Sequence, residues 1–197
     1  DSNPVAIYGG MKDCAAIDMK GGIIIIPCTA SENPSMLIKP QYLPDDEKAV
    51  SLVCVHDYFF ALSSTGKLFV SERKRDNIKL VFKRVNEFKR TKIIQISGKD
   101  RHFLWLTEKG HVFVFGDNYY GQAGIDSQKY FIDKFTEILT LRKYKNTNVY
   151  ANSFNSFFFK QKMDKYLHVG QLMTKHSFWI QIQKKEWKFL CSCWNTK

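Results

Sequence analysis

No run of apolar residues in this chain approaches the roughly twenty that a membrane-spanning helix needs. The longest aliphatic run, Ile23 to Ile26, stops at Pro27. Cysteine is sparse and has no disulfide-framework spacing. Cys14, Cys28, Cys54, Cys191 and Cys193 are odd in number, which points to a reducing intracellular compartment, cytoplasm or nucleus. The nearest match to a glycosylation sequon, Asn33-Pro34-Ser35, has proline at the forbidden middle position. Catalytic motifs are lacking too. His56, His102, His111, His168 and His176 contain no i, i+4 pair and no HExxH, and no nucleophile elbow occurs. Cys191 and Cys193 would make half of a zinc site, but no second pair accompanies them. The loop from Gly116 to Ala123 has GxxxxG spacing without the Lys and Ser or Thr that reach phosphate and magnesium. Together these absences disfavour an enzyme and leave no expected catalytic residue, cofactor or metal. The first residue is Asp1, not Met, so a removed targeting segment or missing upstream sequence stays open.

What is present is ordinary globular material with two biases. Hydrophobic residues make up 44% and charged residues 25%, which argues against wholesale disorder. Aromatic residues reach 15%, with 16 Phe, and suit strand-rich packing. The formal charge of +11 favours anionic partners: nucleic acid, an acidic protein face or an anionic membrane surface.

The turn glycines supply a ruler. Gly21, Gly66 and Gly110 each follow a hydrophobic-ended strand and precede another apolar run. On that ruler Ile17, Leu62 and Leu106 share one position, and Gly9, Cys54 and Gly98 share another. The clearest copy runs from Lys92 to Ile125, with short strands at Ile93 to Ile96, Phe103 to Leu106 and His111 to Phe115. A fourth, damaged copy begins near Val149, with Asn155 near the His102 position and Met163 near the turn glycine. A period of this size signals blades or solenoid repeats, and short strands favour blades over helical pairs. The expected fold is all-β, made of β-propeller blades of short antiparallel strands, three to four in number.

The third copy carries a signature: Gly98, His102, Leu106, Gly110, Val112, Gly116 and a closing Gly121-Gln122-Ala123-Gly124. It resembles the repeat of the regulator of chromosome condensation family, with Ala123 in place of the usual leucine. The first two copies have Pro27 and Glu72 at the Gly116 position and lack the GQxG close. The resemblance covers roughly residues 5–171. It implies a structural signature of Gly98, His102, Leu106, Gly110, Gly116, Gly121, Gln122 and Gly124. In this reading the glycines allow tight turns with positive φ, Gln122 bonds neighbouring backbone, and His102 is a hydrogen-bonded turn or inner-strand residue, not a metal ligand. Family propellers usually close with seven blades, so a chain of three or four is a fragment, self-associates or docks on another propeller half.

The expected repeats are 1–46, 47–90, 91–146 and 147–171, followed by a basic aromatic tail, 172–197. Leu37 to Lys39 is an expected outer strand of the first repeat. Arg73, Lys74, Arg75, Lys83 and Arg84 form a candidate anion contact, against the favoured alternative of an outer strand with its charges in water. Between Asp126 and Asn148 the spacing of Ile132, Phe135, Ile138, Leu139 and Arg142 fits a short helix, and a connecting loop with one outer strand fits equally. The tail, with Trp179, Trp187 and Trp194 among lysines, either packs back, binds a partner or touches a membrane surface. Its departure from the repeat also allows a degenerate reading frame after Met163. The expected function is a protein-interaction module without enzymatic activity. The rivals are guanine nucleotide exchange on a Ran-like small GTPase, which the resemblance implies, and nucleic-acid or chromatin binding through the basic segments.

Overall fold

In the computed structural model the described residues are 4–9, 13–27, 40–72, 80–125, 129–160, 165–171, 177–183 and 186–192. The backbone divides into two compact units, residues 1–100 and 101–197. The third sequence repeat straddles that division.

In the first unit β1 (Pro4–Gly9), β2 (Asp13–Asp18) and β3 (Ile23–Pro27) form an antiparallel meander. At its edge Ile23 and Gln41 exchange backbone hydrogen bonds of 2.7 and 2.8 Å. The expected outer strand at Leu37 to Lys39 lies outside the described residues. The second sheet runs β4 (Ala49–Val55), β5 (Tyr58–Ser63), β6 (Leu68–Glu72) and β7 (Lys83–Arg84), with β7 outermost. Strand β8 (Ile93–Lys99) packs along β4. Ala15, Ile17 and Ile25 of the first sheet meet Leu52, Phe59 and Ala61 of the second in one buried cluster. Alternation along each strand puts these residues on one face, and their burial drives the sheets together.

In the second unit β9 (His102–Thr107), β10 (Val112–Asp117) and β11 (Phe131–Glu137) pair antiparallel. Every residue of β9 is buried. Leu104 and Leu106 join Val149 and Phe158 in the core. Trp105 stacks between Phe103 at 4.8 Å and Phe113 at 5.4 Å, with the edge of Phe135 at 5.2 Å. Of the two readings for 126–148, the backbone takes the outer strand. Strand β11 runs into a 3₁₀ turn at Leu139–Leu141, so of the apolar residues in the helix-like spacing Ile132 and Ile138 are buried, Phe135 is half-buried in the strand and Leu139 is exposed on the turn. The last sheet holds β12 (Asn146–Ala151), β13 (Asn155–Lys160), β14 (Lys165–Gln171), β15 (Ser177–Gln183) and β16 (Glu186–Ser192). Within the expected tail of 172–197, Ser177–Gln183 and Glu186–Ser192 are two strands of the fourth sheet. Phe178 to Ile182 and Trp187 to Leu190 have the aromatic and β-branched content of strands, but no glycine for the ruler to find.

The ruler itself has a physical cause. Gly21, Gly66 and Gly110 have φ of 81°, 86° and 83°, a region open to glycine and strained for other residues. Each glycine carbonyl then accepts a hydrogen bond from the start of the following repeat: Ala49 N at 3.2 Å, Ile93 N at 2.9 Å and Asn146 Nδ2 at 2.8 Å. A Cβ on Gly66 would sit 2.6 Å from Lys92 Cγ and 2.9 Å from Ile93 O. The residue three before each glycine closes the turn. Asp18 accepts from Gly22 N at 2.7 Å, Ser63 from Lys67 N at 3.1 Å and Thr107 from His111 N at 3.1 Å.

The second of these turns gains a further brace. Glu47 accepts from Thr65 Oγ1 at 2.9 and 2.7 Å and pairs with Lys67 Nζ at 2.6 Å. Burial pushes the Glu47 carboxyl up. Hydrogen bonds from Lys67, Thr65 and Ser63, with the Lys67 charge, outweigh it and hold the group down at about 2. Because the folded pKa lies below the unfolded value of 4.5, the brace stabilises fully above that pH and is lost as pH falls toward 2. Glu47→Gln is expected to cost about 1.5–3 kcal/mol in urea unfolding at neutral pH, the range for hydrogen bonds to a charged group. The deficit should shrink steadily on acidification from pH 4.5.

Candidate interaction surface

The third repeat is closed by a buried polar relay. His102 opens β9 and Ser156 lies in β13; both are inaccessible to solvent. His102 Nε2 lies 2.8 Å from Ser156 Oγ, and Ser156 Oγ donates to the carbonyl of Gln122 at 2.7 Å. Since the serine proton is committed to that carbonyl, the imidazole must carry its proton on Nε2 and donate it to Ser156. Burial lowers the His102 pKa to about 4, so the ring is neutral at pH 7. A serine beside a histidine suggests a nucleophile, but this hydroxyl is sealed from solvent and spent on backbone. Its part is to tie β9, β13 and the Gln122 loop together.

Gly116 allows that loop to return over the start of β9. Asp117 N donates to Arg101 O at 2.9 Å, and a Cβ on Gly116 would lie 2.4 Å from the same oxygen. From there side chains stitch the loop to itself. Asn118 donates to Lys129 O at 3.1 Å and accepts from Ala123 N at 3.1 Å, while Gln122 Oε1 accepts from Tyr120 N at 2.8 Å. Gly121 and Gly124, at φ of 71° and 65°, make its turns. Of the remaining signature residues, Leu106 and Gly110 hold the strand end and turn described above, and Gly98 lies in β8.

The polar residues of this loop turn inward and the aromatic ones outward. Tyr119 is 64% exposed, Tyr130 70% and Phe154 37%. Tyr119 contacts Tyr120 at 4.9 Å and Tyr130 at 5.3 Å, and Tyr120 meets Phe154 at 5.5 Å. The Arg101 guanidinium lies 5.5 Å from the Phe154 ring centroid, a cation–π contact, and its Nη1 donates to Asp117 at 3.1 Å. Four aromatic rings and an arginine thus share one surface over a braced loop. None of the five was among the sequence candidates; the Tyr119-Tyr120 pair inside the signature loop was the available signal.

The candidate anion contact divides. Lys83 and Arg84 form β7, where Lys83 is exposed and Arg84 Nη2 donates to Lys89 O at 3.1 Å. Arg73, Lys74 and Arg75 lie outside the described residues. Among the described residues no group of three or more His, Cys, Asp or Glu is placed to hold a metal ion. No helix among them is long and apolar enough to cross a membrane, which says nothing of a strand-built span.

Antiparallel meanders joined through turn glycines define a repeat-built β-propeller fold. The repeat is of the regulator of chromosome condensation type: residues 93–122 match that repeat family, and the chain has the family's propeller fold in partial, divergent form. Human WBSCR16 superposes with a TM-score of 0.69 at 11% identity, over 91% of this chain and 52% of its own. Yeast RCC1 (Prp20), solved with Kap60, gives 0.63 at 18% identity over 85% of this chain and 43% of its own. Prp20p from Saccharomyces cerevisiae, described together with its binding to Gsp1p and histones, gives 0.62 at 18% identity over 84% and 44%. The chain spans about half the length of these solved relatives. No curated protein matches it by sequence.

Proposed function

We propose that this chain is a protein-interaction module that presents its partner with the loop surface of Tyr119, Tyr120, Tyr130, Phe154 and Arg101. The observation that carries the reading is the division of labour in the signature loop: its buried polar groups brace the backbone, and its exposed aromatics remain for contact. Aromatic residues and arginine dominate binding hot spots because they bury much area at small entropic cost. The described thiols, Cys14 and Cys54, suit a reducing intracellular setting. The rival reading is nucleotide exchange, since Prp20p is described with Gsp1p.

Affinity capture with the folded chain tests the proposal. The parent is expected to retain a specific protein that the Tyr119→Ala/Tyr130→Ala variant loses, with no acceleration of labelled GDP release from a Ran-like GTPase. Accelerated release by the parent would replace the module reading with exchange.

A further inference from the structure

The aromatic surface has a built-in polar contact, and its geometry is specific about charge. Arg101 is held in place from two directions: its guanidinium rests over Phe154, and Nη1 is engaged by Asp117, which is itself largely buried. That bond is the only one the guanidinium makes among the described residues, and 41% of the side chain stays exposed. The engaged nitrogen belongs to one edge of the planar fork. The other edge, Nε and Nη2, carries two parallel donors, the arrangement that a carboxylate accepts in bidentate fashion. Beside it Tyr119 and Tyr130 offer large exposed ring faces.

We infer that the surface binds an extended acidic peptide segment, in which one Asp or Glu takes the Nε–Nη2 edge of Arg101 while a neighbouring apolar residue packs on Tyr119 and Tyr130. This rests on the interaction-module reading and gives the partner a chemistry. The charge balance agrees. The pairs Arg101–Asp117, at 3.1 Å, and Lys129–Asp133, at 3.7 Å, each balance their own charge, so the attraction for an anionic segment over a basic one comes from the +11 carried by the chain as a whole. A bare polyanion fits less well, because the exposed area is mostly ring and only one guanidinium edge is on offer.

The test is fluorescence anisotropy with the full chain and a short labelled peptide that alternates glutamate with leucine. Saturable binding is expected, weakened roughly tenfold or more by Tyr119→Ala/Tyr130→Ala, as for removal of a hot spot. Arg101→Lys keeps the charge but lacks the fork, and is expected to weaken binding about five- to tenfold. Far-ultraviolet circular dichroism of each variant confirms that it is folded. Equal binding of a lysine–leucine peptide, or indifference to both variants, would overturn the inference. So would a labelled oligothymidylate that binds more tightly with the same dependence on Tyr119 and Arg101, in favour of single-stranded nucleic acid. If the acidic peptide fails while a captured protein still depends on Tyr119 and Tyr130, the acidic-segment inference falls and the module reading survives. If neither shows that dependence, both fall.

Discussion

Gly116→Ala should be strongly destabilising, at an expected cost of about 2–6 kcal/mol. Two independent penalties combine. The residue sits at φ of 109°, where any side chain adds strain of about 1–3 kcal/mol. The new Cβ would also lie 2.4 Å from Arg101 O and 2.8 Å from His102 Cα, both backbone atoms. No rotamer change relieves a clash with backbone, so β9 and the loop must separate, at an overpacking cost of about 1–3 kcal/mol. A small domain has roughly 5–15 kcal/mol in all. Urea unfolding followed by tryptophan fluorescence measures the loss. A change below about 1 kcal/mol would mean that the loop does not pass over β9 as described.

The second large effect belongs to the relay beneath that loop. Ser156→Ala strands a buried imidazole N–H and the Gln122 carbonyl together, at about 1–3 kcal/mol for each group left unsatisfied. His102→Ala strands only the serine's acceptor side and opens a cavity, so the double variant should cost clearly less than the sum of the single ones. Acid should reveal the same histidine. Its folded pKa, lowered by burial to about 4, lies below the unfolded value of 6.5, so the unfolded chain takes up a proton that the folded chain refuses. The stability from keeping His102 neutral is complete above pH 6.5 and is lost as pH falls toward 4. About 3 kcal/mol is at stake across that window, at 1.36 kcal/mol per pKa unit. His102→Gln should flatten the dependence there and leave the lower window of Glu47 untouched. A parent and variant with parallel pH profiles would contradict the buried, neutral imidazole.

The sequence made the strands of the first three repeats legible because each turn must solve the same problem: a chain reversal at positive φ whose carbonyl reaches the next repeat. Only glycine solves it well, so Gly21, Gly66 and Gly110 stand in register. Asp18, Ser63 and Thr107 do one job with three different side chains, and no single letter marks it. The strand at Phe131–Glu137 was ambiguous because strand and 3₁₀ turn in sequence imitate a helical period. In the fourth sheet Lys160 stands where Ser63 and Thr107 close their turns, so the pattern fades although β13, β14, β15 and β16 still pair. The aromatic surface was hidden for another reason. Exposure depends on which way the loop turns, and that is decided by Asn118 and Gln122 bonding inward, not by the tyrosines.

In the proposed module the signature residues hold the fold and the aromatics above them bind the partner. Partner capture and urea-unfolding midpoint, compared in the parent and in Tyr119→Ala/Tyr130→Ala, separate the two roles. Capture should disappear while stability changes by no more than about 0.5 kcal/mol, the usual range for surface substitutions. Undiminished capture by the variant, or its loss together with the fold, would contradict this division of roles.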